Sequence, residues 1–492
     1  MPSSINPWNI VVEGRGSDQR DAATGVPLAS PDLGGPVGFA DDHLVPLLDA
    51  GLGNNAYLVD LGDGRALAVD AGRDLRTLRE AAGRRGLRVA FAADTHLHAD
   101  FLSGAVQLAH DERAVVLASA AGRRGFAHRG LADGDEVGLG GLTLRALATP
   151  GHTDEHLSFL LLDGERAVGV FTGGSLIVNS AARTDLLGAE RAEELARAQY
   201  RSLQRLARLP EDTAVWPTHG AGSFCSAPPG SERTSTIGAQ KEANPLLAAP
   251  DEDIFVRRLL DGLGSYPAYF DRLAERNRLG PAVLTYEPVL PALAAERVHA
   301  LRSEGGYVVD VRPAARFAGG HVPGSVSIAL RDQFATWLGW LLPDDAPLAF
   351  VADADQDPGE IVRQAYKIGY ERIAGHLAGG MAAWRAAGLP VARTPYLTPD
   401  QAPDTAYVDV RQRSEYAAGH VPGALHLELG TLAGHVGDTP EGALVACGHG
   451  ERAMTAASVL EHAGHPGVRV LNGRPRDYAA AHGLRLTEGE AP

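Results

Sequence analysis

The chain has 492 residues, enough for about three domains of ordinary size, and its 45% hydrophobic content is normal for a globular protein. The formal net charge of −16 argues against nucleic acid or an anionic membrane as the main partner, and no apolar run is long enough for a membrane span. No basic-then-apolar leader opens the sequence, and the two cysteines, Cys225 and Cys447, lack a paired spacing, so a reduced, cytoplasmic protein is expected.

Residues 1–42 are rich in Gly, Pro, Ser and Asp without periodicity, the composition of a poorly ordered extension. From Leu44 onward, short strand-like runs cover Ala56–Asp60 and Ala66–Asp70, and a helical segment lies near 74–86. Strand-like runs and loops alternate up to Phe171. A helix follows around 189–209, and a helix-rich stretch over 251–278 closes a first domain at 43–285.

Within that domain, the strand-like run Arg88–Ala93 leads into Asp94-Thr95-His96-Leu97-His98-Ala99-Asp100. Residues two apart on a strand point the same way, so two imidazoles and a carboxylate can converge on one point. Such donors suit zinc or non-haem iron. Thr149-Pro150-Gly151-His152 and Trp216-Pro217-Thr218-His219-Gly220 repeat the theme of a histidine at a Gly/Pro-marked strand end. Together these favour a metal centre over a polar loop with incidental histidines. His110 and His128 have no motif context and read as surface residues. Cys225 reads as a packed loop cysteine, with a role in sulfur relay as the alternative.

The remainder contains a repeat. Val308-Val309-Asp310-Val311-Arg312 returns as Tyr407-Val408-Asp409-Val410-Arg411, and Gly320-His321-Val322-Pro323-Gly324 returns as Gly419-His420-Val421-Pro422-Gly423. Units this long are two similar small domains, not a solenoid, with boundaries at 290–395 and 396–492. Their alternation of buried strands and helices implies parallel-sheet α/β domains. In the second copy, Ala443–Ala446 delivers Cys447-Gly448-His449-Gly450-Glu451-Arg452 to the start of a helix. A ring of backbone N–H groups and the positive end of a helix dipole would stabilise an anionic thiolate or persulfide there. Gly448 and Gly450 permit the curl; Arg452 adds positive charge or ties the loop down. The first copy carries Asp353 where the cysteine would stand, and a carboxylate cannot carry sulfane sulfur. That copy is expected to be structural. The Asp310/Arg312 and Asp409/Arg411 pairs are expected to fix the fold.

On these motifs the first domain resembles the metallo-β-lactamase superfamily, an αββα sandwich, and within it the glyoxalase II-like and persulfide dioxygenase proteins. The second repeat resembles a rhodanese, or sulfurtransferase. The four residues between Cys447 and Arg452 fit sulfur; related phosphatases insert one more for the larger phosphate. The fold class implied is a multidomain α/β protein. Two positions depart from the resemblance. Phe101 stands where hydrolytic, two-metal members have a histidine, which leaves Asp100 and His219 over from a second metal site. Gly174 stands where the family has a metal-binding aspartate after Phe-Thr-Gly. Three arrangements are therefore open: His98 joins His96 and His152 around Fe(II) or, alternatively, zinc; Asp100 supplies the missing oxygen; or the domain holds no metal and is a scaffold. Ser175 and Asp185 are further oxygen donors whose simpler role is structural.

The resemblance implies a persulfide dioxygenase–sulfurtransferase fusion acting on a low-molecular-weight thiol, persulfide or thiosulfate. It would yield sulfite, with sulfane sulfur carried on Cys447. The alternatives are a zinc-dependent thioester hydrolase coupled to a sulfurtransferase, and a metal-free scaffold carrying one sulfurtransferase. A homodimer or higher homo-oligomer is left open.

Overall fold

The computed structural model describes residues 42–225, 232–465 and 467–489; the expected N-terminal extension lies outside them, apart from its last residue. The first domain contains two six-stranded sheets. In one the order is Leu44–Asp49, Asn54–Asp60, Arg65–Val69, Arg88–Ala93, Val115–Ser119, Arg129–Leu131. In the other it is Ser235–Thr236, Ala214–Pro217, Arg166–Gly173, Leu157–Asp163, Leu142–Ala148, Glu136–Gly138.

Side-chain alternation decides what each sheet covers. Tyr57, Val59, Leu67 and Val69 meet Leu144, Phe159, Leu161, Phe171 and Trp216 in one core between the sheets. Their neighbours Leu58, Ala66 and Ala68 point outward to Leu75, Leu78 and Leu108, a layer that includes helices Arg76–Arg84 and Ala105–Glu112. On the opposite face, Leu160, Leu162 and Val170 pack against Ala196, Leu203, Leu206 and Phe255, from helices Ala192–Leu206 and Glu252–Asp261. The result is a helix–sheet–sheet–helix sandwich.

One expectation changes. Ala105–Glu112 is a helix within the stretch read as strands and loops; its buried Ala105 and Leu108, three apart, form one short face. The helix-rich stretch over 251–278 is present as two helices, Glu252–Asp261 and Phe270–Leu279, separated where Gly262, Gly264 and Pro267 disfavour helix.

The repeats fold alike, each around a five-stranded sheet whose paired strands are all parallel. The first runs Ala292–Leu293, Ile373–Leu377, Leu348–Val351, Tyr307–Asp310, Val326–Ser327, and the second Tyr396–Leu397, Arg469–Leu471, Leu444–Ala446, Tyr407–Asp409, Leu425–His426. No helix among the described residues is long and apolar enough to cross a membrane.

The first repeat is joined to both neighbours. Phe101, Leu102, Cys225 and Tyr269 of the sandwich share a core with Phe334, Trp337 and Trp340. The Leu102 N–H donates to the Lys367 carbonyl (2.8 Å), and Lys367 Nζ reaches Asp49 at 2.8 Å. Towards the second repeat, Glu461 accepts from His321 Nε2 (3.0 Å) and from the Gly324 N–H (2.8 Å).

Candidate metal centre and thiol loop

Strand Arg88–Ala93 ends before the histidine motif begins, so the two-residue alternation no longer governs where His96 and His98 point. The loop's shape is set by Asp70, at the end of strand Arg65–Val69 with a left-handed φ of 51°, a conformation aspartate tolerates. Its buried carboxylate accepts from Thr95 N (2.7 Å), Thr95 Oγ1 (2.8 Å), His98 Nε2 (3.2 Å) and the Thr218 hydroxyl. Burial would raise this carboxyl, but the His98 charge and the hydrogen bonds outweigh it and hold it below the ordinary range. Conversely, burial disfavours charge on His98, yet Asp70 prevails and raises it.

His98, expected as the third imidazole, is held through Nε2 by Asp70 and stacks on Phe101 (4.2 Å between ring centroids), while its Nδ1 is buried without a partner and the ring lies 4.2 Å from that of His96. His219 joins the cluster: ligand nitrogens of His96, His152 and His219 lie within 4.8 Å of one another. One ring nitrogen of each is engaged from behind. His96 Nδ1 meets Thr95 Oγ1 (2.8 Å), His152 Nδ1 donates to the Arg183 carbonyl (2.7 Å), and His219 Nδ1 faces Asn54 Oδ1 (3.1 Å). Such outer partners fix the tautomer and leave the second nitrogen free for a metal. Nε2 of His96 and of His219 is buried without a partner. Burial, reinforced by neighbouring imidazoles, pushes His96 well below its usual value and His152 and His219 down to about 3. All three are therefore neutral at physiological pH, the form that ligates. Three converging imidazoles, two of them with an unpartnered buried nitrogen, fit a metal ion, zinc or iron by donor type.

Gly174 provides no carboxylate, and the space is closed: a Cβ there would lie 2.4 Å from His152 Cδ2. The Gly174 N–H donates to His156 Nε2 (3.0 Å), and His156 Nδ1 meets Thr149 Oγ1 (2.9 Å). His156, unnoticed in the sequence, stacks on His96 (5.0 Å, 19°); its only signal was a place four residues after His152. Asp100 is adjacent to this trio. Its Oδ2 accepts from Asn54 Nδ2 (2.7 Å), while Oδ1 is buried without a partner. Asp185 is spent on Arg183 (2.7 Å), and Ser175 is buried with an unpartnered hydroxyl. His110 is on the surface beside Asp111, and half-buried His128 faces the Phe126 carbonyl.

The second repeat builds the thiol loop. Cys447 follows strand Leu444–Ala446 and is fully buried, its Sγ accepting from the Gly450 N–H at 3.1 Å. Gly450 has φ 96°, and a Cβ on it would strike the Tyr396 hydroxyl at 2.6 Å, so glycine is required twice over. The helix Glu451–His462 starts here and directs its positive end towards the loop. Arg452 is buried and paired through both terminal nitrogens with Glu415 (2.6 and 2.8 Å); it ties the loop down. Gly448 is half-buried, and exposed His449 lies 3.5 Å from Glu451, which also pairs with Arg331 of the first repeat (2.9 Å). In the first repeat, Asp353 follows strand Leu348–Val351, and its N–H donates to Gln356 (2.9 Å). Arg312 and Arg411 clamp Asp310 and Asp409 (2.6 Å each) and the carbonyls of Gly320 and Gly419 (3.0 and 2.8 Å). The same buried clamp occurs in both copies, with and without the cysteine, as expected for a fold-fixing device.

A sandwich with an imidazole cluster at its strand ends, followed by two parallel-sheet repeats, is matched by two family models. The metallo-beta-lactamase superfamily matches residues 49–219, and the rhodanese-like domain matches residues 294–387 and again 397–480. The chain is a metallo-β-lactamase domain followed by two rhodanese-like domains. Among individual proteins, it is 30% identical over 190 residues to the human mitochondrial persulfide dioxygenase ETHE1, covering 37% of this chain and 65% of that one. It is 35% identical over 176 residues to a hydroxyacylglutathione hydrolase of Cereibacter sphaeroides (34% and 62%). The chain thus spans just under two thirds of these relatives. A solved metallo-beta-lactamase from Staphylococcus aureus superposes with a TM-score of 0.61 at 28% identity, covering 68% of this chain and 98% of that one.

Proposed function

We propose that this chain oxidises a low-molecular-weight persulfide to sulfite in its first domain and transfers sulfane sulfur on Cys447 in its last. The observation that carries this reading is the meeting, in one molecule, of three buried neutral imidazoles, two of them with an unpartnered nitrogen, and a thiol cradled by a backbone N–H. His96, His152 and His219 would hold one ion, with Fe(II) the preferred metal and zinc the alternative. A bound iron supplies the redox chemistry that lets persulfide react with O₂. One persulfide, one O₂ and one water would give the free thiol, sulfite and two protons.

The chain's own groups exclude water and set geometry. The rings are at most 1% exposed, and Phe101 occupies with hydrocarbon the position where a second metal's histidine would be. This favours oxidation over two-metal hydrolysis. In the last domain, the Cys447 thiolate would attack the sulfane sulfur of thiosulfate. The S–S bond breaks, sulfite leaves, and a Cys447 persulfide forms, ready for an acceptor thiol. Gly450 N–H steadies the sulfur anion, and Arg452, held by Glu415, fixes the loop. We infer action in the cytoplasm on small-molecule partners, with homo-oligomerisation as an accompanying proposal.

Oxygen uptake and sulfite release by the iron-loaded protein supplied with a persulfide test the reading. Uptake at an O₂ electrode is expected. Its absence alongside intact thiosulfate sulfurtransfer would remove the dioxygenase half, and thioester hydrolysis by zinc-loaded protein would put a hydrolase in its place.

A further inference from the structure

The hairpin between strands Leu44–Asp49 and Asn54–Asp60 meets the imidazole cluster on one side and the first repeat on the other. Towards the cluster, Asn54 faces His219 Nδ1 with Oδ1 (3.1 Å) and donates through Nδ2 to Asp100 (2.7 Å). The Gly53 carbonyl accepts from the N–H of Gly220 (2.9 Å), the residue after His219. The hairpin thus holds His219 by its ring and by its adjoining backbone. Towards the repeat, Lys367 ends helix Pro358–Lys367 and places Nζ 2.8 and 3.0 Å from the two Asp49 oxygens. Asp49 Oδ1 also accepts from the Gly51 and Leu52 N–H groups (3.0 and 3.1 Å) and so shapes the turn. The Thr336 hydroxyl donates to the Gly51 carbonyl (3.3 Å), and a Cβ on Gly51 would overlap the Asp332 carbonyl. The turn therefore lies directly on the backbone of the repeat. Lys367 reaches the far side of the cluster as well, because its carbonyl accepts from the Leu102 N–H (2.8 Å), two residues beyond Asp100.

The Lys367 side chain is 6% exposed. An ammonium group so far withdrawn from water is costly unless it is paired, and packing at the seam would be met equally well by an apolar side chain of similar length. We propose that Lys367, in the repeat that carries no cysteine, is a positioning residue for the metal centre. Through Asp49 it holds the hairpin at the depth where Asn54 and the Gly53 carbonyl aim His219 at His96 and His152. Through its own carbonyl it holds the histidine loop just beyond Asp100. Lys367 touches none of the three imidazoles and acts through groups that do. Partners behind a ligating imidazole tune affinity as well as orientation, and coupling passes along contiguous hydrogen bonds and packed side chains of this kind. The first repeat thereby sets the aim of a ligand in the neighbouring domain. The inference rests on the trio as a metal centre and is independent of the reaction performed there.

The test uses the full chain, stripped of metal by a chelator and titrated with Co(II) in the absence of O₂, because the visible absorption of bound cobalt reports ligand geometry. Lys367→Met keeps the side-chain length and removes the charge. Asp49, whose side chain is 36% exposed, can then turn to water, so the variant is expected to fold. Its cobalt affinity should fall roughly 3- to 30-fold, and its visible bands should shift. Asp49→Asn keeps the oxygen that shapes the turn and should produce the same shift, with little further change when the two substitutions are combined. Glu371→Gln is the control: it loosens the same seam where Glu371 meets Arg73 and should leave cobalt affinity and bands at wild-type values even where it lowers the melting temperature. Unchanged affinity and bands in Lys367→Met, or equal changes in Glu371→Gln, would overturn the positioning role while leaving the metal centre standing. Failure of the wild type to bind cobalt at all would overturn it together with the metal reading of the trio.

Discussion

Arg452 and Glu415 meet through two parallel hydrogen bonds of 2.6 and 2.8 Å in a setting where both side chains are buried. Glu415 also accepts from the Gln412 N–H (3.1 Å), so the pair links the helix behind the thiol loop to the short helix Arg413–Ala417 that follows strand Tyr407–Asp409. Removing one member strands a buried charge, which costs about 3–5 kcal/mol. Glu415→Gln should therefore lower unfolding free energy by that amount in urea titration and slow thiosulfate sulfurtransfer through a loosened loop. Burial opposes the Glu415 charge, but Arg452 prevails and holds its carboxyl below the ordinary carboxylate value. Its stabilisation is thus complete above the unfolded glutamate's range and is lost as pH falls through the folded value. Wild type and Glu415→Gln should converge in stability only in that acid window.

Cys447 is the one thiol in the loop, so Cys447→Ser should abolish thiosulfate-dependent sulfurtransfer. Serine's hydroxyl can still accept from the Gly450 N–H, and thermal stability should change little. Equal losses of activity and fold would mean that the cysteine serves packing rather than transfer. Bound metal, measured by elemental analysis, should be unchanged.

At Gly174, a methyl group would strike the His152 ring. Gly174→Ala should displace that ligand and reduce metal affinity roughly tenfold or more, with a stability loss of about 1–3 kcal/mol from overpacking. Gly174→Asp should do the same, even though it restores a carboxylate, because its Cβ meets the same carbon. Higher metal content in Gly174→Asp would show that His152 has room to move.

The metal-free protein should be sensitive to mild acid. His152 and His219 are held near 3 by burial and by neighbouring imidazoles, while unfolded histidines titrate near 6.5. Between those values the unfolded chain binds more protons than the folded one, so stability rises with pH across the window and is fully present above about 6.5. Each ring contributes a slope of up to about 1.4 kcal/mol per pH unit. Urea midpoints of stripped protein at pH 5 and pH 7 should differ accordingly, and a flat profile would contradict the buried, neutral state of the cluster.

The sandwich and the repeats were legible because their signals are local: strand runs with turn punctuation, and two copies of the same short motifs. The histidine trio was legible only in part. His96 and His98 look equivalent when the loop is treated as strand, but the strand stops at Ala93, and Asp70, 28 residues before His98, takes that ring's Nε2 and leaves Nδ1 as its free nitrogen. His219 was visible as a strand-end histidine, yet its convergence with His96 and His152 depends on how the two sheets align. The partnership of Arg452 with Glu415 spans 37 residues, and nothing in the local text near either one announces it.

The cysteine-free first repeat shares Phe334, Trp337 and Trp340 with Phe101, Leu102 and Tyr269 in one continuous core. Excising it would bare that oily surface beside the histidine loop and cut the Leu102–Lys367 hydrogen bond that anchors the loop's far end. The histidine pocket therefore borrows one of its walls from a segment that carries no thiol of its own.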